Sequence, residues 1–149
     1  MEHNFAKFRA AILDLSDADE FYAAKREWEF VGIEIDDNLD NCLCGHTIKE
    51  ICHIKNQLNG NKAHVGNVCI NQFLGIKTEN IFEGLKRIIK DNTANPNEDL
   101  IIYARKFGYI YESEYKFLID TKRKRILSPK QIDWKSKINR RIIKQIPVR

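Results

Sequence analysis

The sequence predicts an α+β fold, a cysteine-rich β-hairpin surrounded by several α-helices, and three observations support it. All four cysteines fall within residues 42–69. In the same window an Asn59-Gly60 pair separates two segments of strand character. Outside the window, apolar residues recur at helical spacing behind recognisable capping residues. With 149 residues, 43% hydrophobic and 31% charged, the chain can bury the core of one compact domain or of two small ones.

The elements follow in order. Phe5, Phe8, Ile12 and Leu15 share one side of a helix over residues 4–15. Ser16 is a candidate N-cap for a second helix, with Asp17, Asp19 and Glu20 at its positive end and Phe21, Ala24, Trp28 and Val31 as its apolar side, ending near Gly32. Residues 33–41 read as a short strand and a loop. Residues 48–58 and 62–65 form the hairpin around a two-residue type I′ turn. Asn67 then caps a short helix carrying Cys69, Ile70 and Phe73, with Gly75 as its stop. Thr78 caps another, with Ile81, Phe82, Leu85, Ile88 and Ile89 as its buried stripe. Asn95-Pro96-Asn97-Glu98 and Ser128-Pro129-Lys130-Gln131 each supply a cap, a first-turn proline and a reciprocal Glu or Gln. They start helices through about Phe107 and Gln145, and Tyr111, Tyr115, Leu118 and Ile119 mark one between them. Three segments result: an acidic helical segment 1–41, a hairpin-helix module 42–75, and a helical region 76–149 with a basic tail.

Cys42-Leu43-Cys44-Gly45 has the character of a metal-binding knuckle. Glycine permits a positive φ that turns backbone amides toward thiolate sulfur. Cys69 falls in the first turn of its helix, where the helix dipole favours the thiolate. Soft thiolates around a four-coordinate site suit zinc. Pairing across a two-residue turn puts residue 52 opposite residue 67, which selects Cys52 as fourth ligand over His64. His46, carried by the knuckle itself, is the alternative, and His53, His64 or no fourth protein ligand remain open. The competing reading is that these cysteines are small buried apolar residues, most plausible for Cys52. A closed site would make Zn2+ structural and leave no position for water activation. It would contribute on the order of 10 kcal/mol to the folding of a small module.

Cys42-Leu43-Cys44-Gly45-His46-x-Ile48, then Ile54-x-Asn56-x-x-Asn59-Gly60, then Val65-Gly66-x-x-Cys69-Ile70-x-x-Phe73 resembles small zinc-finger-like proteins of phage and mobile elements. The resemblance covers residues 42–74. It implies a treble-clef-like order of knuckle, hairpin and helix, and it supports Cys42, Cys44 and Cys69 more directly than Cys52.

Charge is unevenly distributed. Residues 1–41 carry 4 basic and 11 acidic side chains, whereas residues 121–149 carry 11 basic ones against Asp133 alone. So basic a tail favours a polyanion or an acidic protein surface, or folds back on the acidic segment. Lys122, Arg123, Lys124, Arg125, Arg140, Arg141 and Lys144 are the expected phosphate contacts, and Trp134, Tyr109 and Tyr111 are candidates for stacking on bases. No phosphate-cradling Gly-rich loop, His-Glu-x-x-His or deaminase motif occurs. The expectation is a non-catalytic, zinc-stabilised nucleic-acid-binding (DNA-binding) accessory protein. Its alternative is an interaction module of phage or plasmid origin that blocks a host protein, with Asp17, Asp19, Glu20, Asp36, Asp37 and Asp40 imitating a nucleic-acid backbone. Clustered thiols, a polar start and apolar runs too short to span a bilayer lead to the expectation of a cytoplasmic, reducing location without membrane contact.

Overall fold

A computed structural model describes residues 2–148; residues 1 and 149, the outermost positions of the predicted segments, lie outside them. The protein is α+β, with seven helices and a three-stranded antiparallel sheet among the described residues. The chain divides into two compact units, Met1–Thr78 and Glu79–Arg149.

The first unit runs α1 (Glu2–Asp14), α2 (Phe21–Lys25), β1 (Trp28–Asn41), β2 (Thr47–Asn56), β3 (Lys62–Val65) and α3 (Asn67–Leu74). The sheet is a meander in the order β1-β2-β3. Phe8 and Ile12 of α1 are fully buried, and Phe8 meets Phe73 of α3 edge-on at 5.1 Å between centroids. Ile33, Ile51, Ile54, Val65 and Ile70 complete this core.

The predicted second helix is cut short. Its N-cap is Glu20, whose carboxylate accepts from the Tyr22 and Ala23 amides, and it ends at Lys25. Ser16 instead donates to the Ile12 carbonyl and accepts from Trp28 Nε1. Trp28 and Val31 belong to β1, a 14-residue strand. Its pairing with β2 slips between Phe30 and Gly32, so Val31 is a bulge residue and the inward-facing positions change phase there.

The hairpin also differs in register. Cys52 pairs with Val65 and His53 with His64, so Cys52 does not face residue 67. The reason is the turn: residues 57–60 form the loop, closed by the Asn56 amide donating to the Asn61 carbonyl. Asn56 Oδ1 accepts from the Leu58 and Asn59 amides inside it. Asn56 Nδ2 donates to Glu27, a buried carboxylate that also accepts from the Asp17 and Ala18 amides at 2.8 Å each. These bonds, led by that from Asn56, hold the Glu27 carboxyl below the usual carboxylate range. The side-chain amides of Asn59 and Asn61 both donate to the Leu15 carbonyl. The β2–β3 loop is thereby tied to the end of α1.

The second unit comprises α4 (Glu79–Lys90), α5 (Glu98–Lys106), α6 (Glu112–Thr121) and α7 (Pro129–Lys144). Phe82, Leu85, Ile88, Leu100, Ile101, Leu118, Ile138 and Ile142 are buried, while Ile89, expected in the stripe of α4, is exposed. Ser128 caps α7 with Gln131 as its reciprocal partner, as the sequence predicts. The cap of α5 is Asn97, two residues later than expected; its Oδ1 accepts from the Leu100 amide at 3.0 Å. The loop between α4 and α5 is clasped by α7. Asn139 Nδ2 donates to the Asn92 and Ala94 carbonyls, and the Ser136 hydroxyl donates to Asn92 Oδ1.

Gly84 permits this arrangement. A Cβ there would lie 2.8 Å from Asn97 Cγ and 3.0 Å from Leu100 Cβ. The substitution Gly84→Ala is expected to dislodge the Asn97 cap and cost about 2 kcal/mol, read as a lowered urea midpoint. An unchanged midpoint would remove this account of the α4–α5 contact.

Candidate metal centre and basic surface

Cys42 follows the last residue of β1, and Cys44 lies in the turn before β2. The segment 1–41 and the cysteine module therefore meet inside a hairpin. The Cys42 amide donates to the His46 carbonyl and the Gly45 amide to the Cys42 carbonyl, each at 2.8 Å, closing the turn. Gly45 sits at φ 93, in the region that favours glycine. Lys7 lies over it, with Nζ 2.8 Å from where a Cβ would stand. Cys69 is the third residue of α3, whose N-cap is Gly66.

These elements bring the sulfurs of Cys42, Cys44 and Cys69 within 4.8 Å of one another, all three residues buried. The Gly66 amide donates to Cys42 Sγ at 3.3 Å. Hydrogen bonding from the Cys69 thiol, helped by the Cys44 and Gly66 amides, draws the Cys42 thiol down. The same bond, with burial and the neighbouring negative charge, pushes Cys69 up. One thiolate is thus favoured at the expense of the next, the behaviour of close groups whose charges would be alike. Three close, buried cysteines of this kind could hold a metal ion. The pocket beside them, about 320 Å³, is walled by Phe5, Ile48, Val68 and Gln72 and includes His46.

Cys52 lies outside this group. It is fully buried on β2, its Sγ donating to Thr78 Oγ1 at 3.7 Å and to Asn67 Oδ1 at 3.9 Å. Burial pushes its thiol up to about 12, which keeps it protonated. Thr78 and Asn67, both expected as helix caps, bond to each other here. His53 and His64 also stand apart from the three sulfurs. They pair across β2 and β3 with ring centroids 4.7 Å apart, His53 against Glu34 at 2.9 Å and His64 against Asp40 at 2.5 Å.

In the second unit Arg123, Lys124, Arg125, Arg140 and Lys144 are exposed. Lys122 pairs with Glu98 at 2.9 Å. Arg141 is committed internally: its two terminal nitrogens donate to Glu114 at 2.6 and 2.8 Å, and one also donates to the Tyr109 carbonyl. Burial raises the Glu114 carboxyl, but Arg141 and the Tyr111 amide outweigh it and hold it below the usual range. Lys135 of α7 is fully buried, its Nζ donating to Asn95 Oδ1, and desolvation lowers it to about 8. Trp134 stacks on Phe117 at 4.3 Å, Tyr109 is buried, and Tyr111 lies under the Arg141 guanidinium. Of the acids considered as a backbone mimic, Asp17, Glu20, Asp36 and Asp40 bond to neighbouring groups of their own unit. Sequence reasoning missed Arg87, which lines a cleft with residues 122–125. An isolated arginine on an amphipathic helix carries no signal of its own.

The chain matches no protein-family model, no curated protein and no solved structure.

Elemental mass spectrometry is expected to find one metal ion per chain. Cys44→Ser and Cys69→Ser should lose it and Cys52→Ala should retain it; metal loss from Cys52→Ala alone would overturn the assignment. Glu114 has a depressed folded pKa, so its stabilisation is present above the ordinary carboxylate range and disappears as pH falls through the folded value. Glu114→Gln should cost about 3 kcal/mol at pH 7, with the gap to wild type closing as pH falls below the ordinary carboxylate range in acid-unfolding titrations.

Proposed function

We propose that the protein is a zinc-stabilised, non-catalytic nucleic-acid-binding accessory protein. In this reading Cys42, Cys44 and Cys69 hold a structural zinc ion, and His46 completes the set, since it lines the pocket beside the sulfurs while Cys52 is engaged elsewhere. Three thiolates and an imidazole match the soft tetrahedral preference of zinc. Two ligands from a knuckle, a following hairpin and one ligand from the first turn of a helix make the module treble-clef-like.

One observation carries the nucleic-acid reading. The excess positive charge of residues 121–149 stays largely on the surface, with Arg123, Lys124, Arg125, Lys130, Lys137, Arg140 and Lys144 all exposed. Together with Lys122 they offer counter-charges to successive phosphates. Arg141 leaves the contact set for its structural bond to Glu114. A host protein as partner remains the competing outcome.

Affinity for a labelled oligonucleotide should fall steeply with salt. Replacing residues 122–125 by alanine should flatten the log–log salt slope by roughly three units on duplex DNA. A slope unmoved by the replacement, or a protein partner whose capture survives nuclease treatment while nucleic acid is not bound, would sink the reading.

A further inference from the structure

The α4–α5 loop, the α6–α7 link and the start of α7 surround a cleft of about 490 Å³. Five cations line it: Arg87 from α4, and the run of residues 122–125. Leu127 and Ile132 give it an apolar wall, and Asn95 belongs to its lining. Asn95 joins two features. Its Nδ2 donates to the Lys124 carbonyl, which fixes the basic run against the cleft, and its Oδ1 receives the ammonium of Lys135.

That ammonium is the informative group. Lys135 is fully buried, and among the described residues no carboxylate pairs with it; its other neighbour is the ring of Phe117, 5.5 Å away. Buried charges in proteins are normally paired. Glu98 is engaged by Lys122, and Asp91 by the amide and hydroxyl of Thr93. Lys135 is bonded to Asn95 of the cleft lining, and of the five cations that line the cleft only Lys122 is paired with a carboxylate among the described residues, an excess of positive charge that an anion from outside would balance. The volume suits a single small ligand rather than a double helix. A terminal phosphomonoester carries about −1.5 to −2 charges at pH 7, close to twice that of an internal phosphodiester, and arginine binds phosphate bidentately. Leu127 and Ile132 offer the adjoining sugar or base an apolar face.

We propose that this cleft receives the phosphate-bearing terminal nucleotide of a polynucleotide strand, so that the basic unit recognises strand ends as well as backbone. This rests on the nucleic-acid reading above.

The test uses the full-length, metal-loaded protein in competition anisotropy against an internally labelled single strand, as DNA and as RNA. Competitors are the same strand with a 5′-phosphate, with a 3′-phosphate or with hydroxyl ends only, a closed circular single strand, and a nucleoside monophosphate. One phosphorylated strand should compete at least tenfold better than the hydroxyl-ended one. Arg87→Ala, at an exposed position, should erase this preference while weakening binding of the circular and the hydroxyl-ended strands to the same extent. Salt-sensitive binding that is equal for circular, hydroxyl-ended and phosphorylated strands would overturn the inference and leave the general reading standing. A preference that survives Arg87→Ala, or a free nucleotide competing as well as the phosphorylated strand, would also overturn it. Absence of any polynucleotide binding would overturn both.

Discussion

Three thiol sulfurs converge on one point between a hairpin turn and a helix start, and that convergence constrains the first unit more than any other contact. Each sulfur is delivered by a different local device: Cys42 by the end of β1, Cys44 by a turn that needs Gly45 at positive φ, and Cys69 by the helix that Gly66 begins. The three sulfurs lie so close that a thiolate favoured at Cys42 opposes ionisation at Cys69. A metal ion held by these sulfurs would cross-link the β1–β2 turn to α3, beside the core where Phe8 of α1 meets Phe73 of α3.

The second unit has no comparable centre and relies on polar clasps. Asn139 and Ser136 bind the α4–α5 loop, and Arg141 with Glu114 ties α7 to the start of α6. The two kinds of basic residue on α7 therefore divide by task. Arg141 and Lys135 are held inside, while Arg140 and Lys144 stay in solvent. Their order in the sequence does not separate them, because a helix turns each successive residue through about 100° and burial depends on what lies opposite.

How much was legible follows the range of the signal. The Ser128-Pro129 start and the β3 strand came from local chemistry and stand where expected. The three clustered sulfurs were also legible, since a Cys-x-Cys-Gly turn and a helix-borne cysteine are both local patterns. The front half of β1 was not. The bulge at Val31 breaks the period-2 alternation, and Trp28 and Val31 then fall by chance at helical spacing after Phe21 and Ala24. Asn59-Gly60 pointed to the turn but not to its length, because Asn56 organises a four-residue loop through Glu27, far away in sequence. That difference in register is what separates Cys52 from the other three cysteines.

The bonds from Asn59 and Asn61 to the Leu15 carbonyl join positions more than forty residues apart. The Glu27 carboxylate spans a shorter interval, 29 residues, through Asn56. Such links form only after the intervening chain has closed, and long-range closures come late and slow folding. The end of α1 and the β2–β3 loop are therefore held together by contacts that no local segment of chain can make alone.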